Sequence, residues 1–235
     1  MGGMPGIAPP DPDHTSSSDR ASVPADRGEA LPLSRERVIA AAVALAERSG
    51  LDALSMRRLA DELGVSTMAA YRHVPAKQTL VDDVVERALS WIPAAELLAR
   101  DDEDWAERLE ELVVESHRTV TRFPGLLAHM RAGALGRPGV LNWVGAISQL
   151  VERSGASEER RAGAVTAIVW CLNGASRLEE DRDPMLVALD DVAGGDEPTL
   201  VDAAEWRDKA GARSAEDMLR VTLRTIVAGL RPATP

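Results

Sequence analysis

Residues 55–77 read SMRRLADELGVSTMAAYRHVPAK, and the order of residue types along them spells two short helices joined by a tight turn. Ser55 is a favourable cap for the first helix, because its hydroxyl can accept from a backbone N–H that has no partner in the first turn. Leu59, Ala60 and Leu63 share one face of that helix, and Gly64 supplies the permissive backbone that ends it. Val65 fills the turn. Ser66 caps a second helix through Ala69, Ala70 and Tyr71 to about His73, where Pro75 stops it by driving Val74 out of helical geometry.

The second helix is short of oily residues. Thr67, Met68, Tyr71, Arg72 and His73 offer donors, acceptors and methyls, which suit the edges of bases in a DNA major groove. A small helical hairpin with a polar outer face satisfies the same pattern, so the residues alone leave both readings open. Outward from the hairpin the pattern stays helical. Residues 34–49 form a helix capped by Ser34 and closed by Gly50, with Ile39, Ala42, Val43 and Ala46 in an i, i+3, i+4, i+7 stripe. Residues 77–91 form another that is apolar on a wide arc (Leu80, Val81, Val84, Val85, Ala88, Leu89) and ends before Pro93.

With these residues in view, the run 33–91 resembles the N-terminal domain of the TetR family of bacterial repressors. The marks are Leu59-Ala60, Gly64-Val65-Ser66, the run Tyr71-Arg72-His73-Val74, and Lys77 opening the next helix. The strong motif covers about a quarter of the chain. The resemblance implies a homodimeric regulator whose two recognition helices bind a near-palindromic double-stranded DNA operator and release it when a small-molecule effector enters the C-terminal domain. Carried over position by position, the family's DNA contacts fall on Met56, Arg57, Thr67, Met68, Ala69, Tyr71, Arg72, His73 and Lys77. Met56 and the Met-Ala-Ala before Tyr71 leave few side chains able to read a base with two hydrogen bonds, so specificity falls to Arg57, thymine methyls and DNA shape. The helix at 77–91 is then the lever between the DNA-binding head and the body.

The net charge of −11 on 235 residues looks wrong for such a partner until it is divided by region. Residues 34–92 carry eight Lys/Arg against eight Asp/Glu, while the tail before them is −3 and everything after them −8. A neutral domain still binds phosphates when its bases cluster on one face, as Arg57, Arg72 and Lys77 are placed to do.

The remaining chain is expected to be helical too, giving an all-α fold in three parts: an acidic disordered tail at 1–32, the helix-turn-helix domain with its connecting helix at 33–92, and an effector-binding and dimerisation domain at 93–235. An acidic patch at 101–104 opens a helix that Phe123-Pro124-Gly125 breaks; a short helix follows from Leu126, then one over 140–152 and one over 157–180. Residues 181–198 read as a loop, a short helix surrounds Trp206, and Ser214 with Asp217 three residues on opens the last helix. Val165, Ile168, Val169 and Leu172, with Leu219, Leu223, Ile226 and Leu230, are expected to be partly bare in one subunit and to close a four-helix dimer interface.

Several chemistries are not signalled. The sequence has no phosphate-binding glycine loop, no H-E-x-x-H, no nucleophile elbow and no paired cysteines, which argues against an enzyme. Cys171, the single cysteine, excludes an internal disulfide, and no apolar run approaches the ~20 residues of a membrane span. The expectation is a cytoplasmic protein without a cofactor. Trp105, Trp143 and Trp170, with His117, Phe123, Met130 and Asn173, line either an apolar effector cavity or an ordinary helical core. A helical enzyme or scaffold that uses this Trp-rich region is the alternative to a regulator. Tetracycline repressors place a histidine before a Leu-Gly pair to help hold a magnesium ion; here Ala134 precedes Leu135-Gly136, and Glu159 is more simply a helix-capping charge. The effector is therefore expected to be mostly apolar and bound without a metal.

Overall fold

The computed structural model describes residues 32–100, 104–131, 136–180, 205 and 214–231. The expectations for the acidic tail, the 181–198 loop, the Trp206 helix and the Ala134-Leu135 pair lie outside them. Among the described residues the chain is helical without strands. The order is α1 (Arg35–Ser49), α2 (Met56–Leu63), α3 (Thr67–His73), α4 (Lys77–Leu89), α5 (Ala94–Ala99), α6 (Trp105–Arg122), α7 (Leu126–Arg131), α8 (Pro138–Glu152), α9 (Glu158–Glu180) and α10 (Ala215–Leu230).

Helix starts follow the sequence closely because side-chain caps define them. Ser34, Ser55 and Ser66 accept from the backbone N–H of Arg37, Arg58 and Ala69, and Ser214 with Asp217 forms a reciprocal capping box. Gly64 ends α2 at φ 65°, a left-handed turn that a side chain resists. The element missed in the sequence is α5. It has six residues, begins after Pro93 without a side-chain cap, and buries only Leu97, so it offers no periodicity to detect.

Helices α1 to α3 pack against one another and α1 lies along α4; α4 then leans on α6, α7 and α8. Because α4 buries Leu80, Val81, Val84, Val85, Ala88 and Leu89, both of its flanks are apolar and one continuous core runs from Val38 to Leu230. In the body, α6 is the central helix, touching α5, α7, α8, α9 and α10. α9 presents Ala164, Ile168, Leu172 and Ala175 inward, and α10 presents Leu219, Leu223 and Leu230.

That packing corrects the expected dimer face. Ile168, Leu172, Leu219, Leu223 and Leu230 are no more than 3% exposed within one subunit, since α9 and α10 bury these stripes against each other and against α6. The bare apolar residues lie on the opposite faces: Trp170 at 72%, Met218 at 43% and Val221 at 44% exposed. Successive helical residues turn by about 100°, so Trp170, two residues beyond Ile168, is swung away from the core.

Candidate nucleic-acid interface

The head presents α3 on the outside of the turn. Only Ala70 of α3 is fully buried, and it seats the helix against α2 while Val74 anchors the chain beyond it. Met68 stands 74% exposed and Tyr71 41% exposed, so both project from the outer face of α3. Arg72 is exposed, Thr67, Ala69 and His73 are half-buried along the same helix, Lys77 opens α4 beside it, and Arg57 sits exposed in the first turn of α2. Met56 departs from the expected set: it is 5% exposed, because as the first residue of α2 it points back into the core under Leu59 and Ala60. Its side chain is a packing group.

The charges of the head divide into two kinds. Arg35 pairs with Asp83 at 2.6 Å, Arg48 with Glu62 at 2.8 Å, Arg87 with Glu36 at 4.0 Å, and Arg58 donates to the Ala53 carbonyl at 3.2 Å. Arg57, Arg72 and Lys77 have no acidic partner within ion-pairing distance among the described residues. They are the cations that flank the exposed face of α3.

The head is joined to the body at two places. On the first, Arg137 pairs with Asp82, and Glu86 accepts from the backbone N–H of Gly139 at 3.0 Å. Burial pushes the Asp82 carboxyl upward, but hydrogen bonds from Arg137 and Gln78 outweigh it and hold the group below the usual carboxylate range. Two carboxylates of α4 thus grip the N-terminus of α8, where the helix dipole favours negative charge. Gly139 packs closely there: a Cβ would sit 3.0 Å from Glu86 Oε2 and 3.1 Å from Leu89, so both side chains would have to give by a few tenths of an ångström. On the second, the turn after α6 meets the α1–α2 turn. Leu51 N–H donates to the Pro124 carbonyl at 2.9 Å, His129 Nε2 lies 3.1 Å from Asp52 Oδ1, and Arg122 bonds Glu47 at 2.6 Å while stacking 4.6 Å above Trp91.

The profile of "Bacterial regulatory proteins, tetR family" matches residues 38–84, which hold most of α1, all of α2 and α3 and most of α4. These helices form a TetR-family DNA-binding domain. It is 32% identical over 153 residues to the HTH-type transcriptional repressor DrrR1 of Streptomyces coeruleorubidus, covering 65% of this chain and 56% of that one. It is 40% identical over 78 residues to the class C tetracycline repressor of Escherichia coli, covering 33% and 35%. The chain thus spans from about a third to just over half of the length of these relatives. The fold agrees with a possible TetR family regulator from Streptomyces coelicolor A3(2) at TM-score 0.69, with 24% identity over 83% of this chain and 98% of that one. It agrees with the S. coelicolor TetR family protein ActR in complex with actinorhodin at TM-score 0.65, with 24% identity over 85% and 97%.

In the body the seven residues read as a cavity lining do not all share one surface. Trp143 is buried and donates from Nε1 to Ser116 Oγ at 2.8 Å, and the neighbouring His117, also buried, has Nδ1 3.2 Å from Ser176 Oγ of α9. Trp105 and Met130 pack half-buried on the core. Phe123 lies at the joint with the head, its ring 5.3 Å from that of Trp91, and is fully buried there. Trp170 faces away from all of them, and Asn173 spends its amide on the Val169 carbonyl one turn back at 2.7 Å. Burial pushes the Cys171 thiol up, consistent with a packing role. The sequence reading missed Asp82, Glu86, Arg137 and Gly139; the Arg-Pro-Gly run opening α8 was the available signal.

Proposed function

We propose that this TetR-family regulator represses transcription by binding a near-palindromic operator as a homodimer and lets go when a small molecule enters its body. The observation that carries the reading is the set Arg57, Arg72 and Lys77, without an acidic partner among the described residues, around the exposed Met68 and Tyr71. Cations left without internal partners beside a protruding helix suit phosphates flanking a major groove, where the released counterions drive binding. Thr67, Met68, Ala69, Tyr71 and His73 then meet base edges and backbone. Arg57, in the first turn of α2, reaches the adjacent strand.

The second copy is proposed to dock on the outer faces of α9 and α10. Trp170 stands between Gly163, Thr166 and Gly174 on α9, a large ring in a bed of small residues, and Met218 and Val221 extend the patch on α10. A two-fold pairing sets the two α3 helices at the spacing of successive major grooves. Effector control is population shift: a molecule that favours the arrangement with the wrong α3 spacing weakens DNA binding by its differential affinity alone. α4 is the lever, since Asp82 and Glu86 tie it to the first turn of α8. A mobility shift on the protein's own upstream DNA, lost on raising the salt, tests the reading; retention on no duplex at low salt overturns it.

A further inference from the structure

Arg108 is the one charged side chain of α6 that the core encloses. It is 3% exposed, its Nε is buried with no acceptor, and its single hydrogen bond is a long one of 3.4 Å from Nη1 to the Leu97 carbonyl of α5. Among the described residues no carboxylate lies within ion-pairing distance of it. The contrast with neighbouring arginines is sharp: Arg100 pairs with Glu111 at 3.0 Å, Arg118 with Glu216 at 2.9 Å, and Arg220 with Glu110 at 2.9 Å. A guanidinium has five donors and keeps its charge at every physiological pH, so enclosing it costs several kcal/mol unless an anion answers it. A cap on the end of α5 does not require burial; Arg153 serves the next carbonyl, Leu98, at 3.1 Å from the surface.

We infer that Arg108 is the anchor for an acidic group on the effector, and that the effector is an apolar organic anion: an aromatic or alicyclic carboxylic acid, or an acidified hydroxyl of the same shape. Helical spacing puts Trp105 three residues before Arg108 and Leu112 four after it, with Ser116 and its Trp143 partner one turn further along the same side of α6. The fork is thus enclosed among buried side chains that are mostly apolar, Leu112 and Ser116 at no more than 1% exposure, and a carboxylate meets such a fork with two parallel hydrogen bonds. The anion answers a charge for which the described residues supply no carboxylate, so binding also tightens the α5–α6 contact that Leu97 makes. The inference rests on the effector reading given above.

The test uses the full chain with 2-naphthoate and its uncharged methyl ester as probes, followed by tryptophan fluorescence and calorimetry. The acid is expected to bind about tenfold or more tighter than the ester, the effect of a charge-assisted hydrogen-bonded pair. Arg108→Met keeps the stem and removes the charge, and should bring the acid down to the affinity of the ester while leaving the ester unchanged. Arg108→Lys should keep part of the preference. Because the acid–ester comparison is made first in the unsubstituted protein, it stands even if Arg108→Met unfolds. Equal binding of acid and ester overturns the anchor and leaves the effector reading in place, as does an equal loss of both in Arg108→Met. Binding of neither probe overturns both.

Discussion

The face of α3 in the head and the groove between α6 and α10 in the body use their arginines in opposite ways. Across the groove between α6 and α10, which encloses about 730 Å³, Glu110 takes both Arg220 and Arg224, Glu216 takes Arg118 and Arg220, and Arg231 bonds Asp104 at 2.5 Å. Every one of these cations is consumed inside the molecule. In the head, Arg57, Arg72 and Lys77 have no acidic partner among the described residues. On the function proposed above, this difference is how a chain of net charge −11 suits a polyanion: the acid-rich remainder of the chain repels DNA and leaves the face of α3 to the phosphates.

The largest expected effect comes from Trp170→Glu. A charge in the middle of the outer α9–α10 face should convert the dimer to a monomer at micromolar concentration, read by light scattering, and remove measurable operator binding because one head alone reaches one half-site. A variant that stays dimeric moves the interface elsewhere. Smaller, and confined to the head, are single alanine substitutions. Arg72→Ala and Lys77→Ala, each removing one phosphate contact from both subunits, should each lower the slope of log affinity against log salt by about 1.8 and leave the melting temperature unchanged. Arg57→Ala should instead relax preference at one base pair if it reads a base edge; uniform weakening on all sequences would make it a phosphate contact.

The smallest effect is in the body. Arg224 and then Arg220 hold the Glu110 carboxyl below the usual glutamate range, and Arg118 does the same for Glu216. Because these folded-state values are depressed, their stabilisation is present above the unfolded value of about 4.3 and is lost as pH falls through the folded values. Glu110→Gln should cost about 1 kcal/mol at pH 7 and flatten the fall of stability below about pH 4.3, with DNA affinity at neutral pH unchanged. Urea unfolding at several pH values checks both.

How much of this was legible in the sequence follows from how locally each feature is determined. The helix-turn-helix was readable because its caps, Ser55 and Ser66, and its left-handed Gly64 act within four residues of themselves. Met56 departs from the expected DNA contacts for a related reason: the rotation of the first α2 residue about its helix sends the side chain inward. Trp170 was read as a lining residue from its type. Its direction depends on which stripe of α9 the body uses, and Ala164, Ile168, Leu172 and Ala175 settle that only once α6 and α10 are in place. Arg108 carried no signal at all, since A-E-R-L-E-E looks like the charged side of any surface helix. Its burial is a product of α5, the helix that the sequence did not announce.

The most direct measurement is fluorescence anisotropy of a labelled duplex from immediately upstream of the protein's own coding sequence, titrated with the unsubstituted chain and with the triple variant Arg57→Ala, Arg72→Ala, Lys77→Ala over a series of salt concentrations. The account predicts a steep negative salt slope for the unsubstituted protein, a slope shallower by about 3.6 for the triple variant from the loss of Arg72 and Lys77 on both subunits, and identical thermal melting of the two. Equal slopes for the two proteins, or no binding by the unsubstituted chain at low salt, would contradict it.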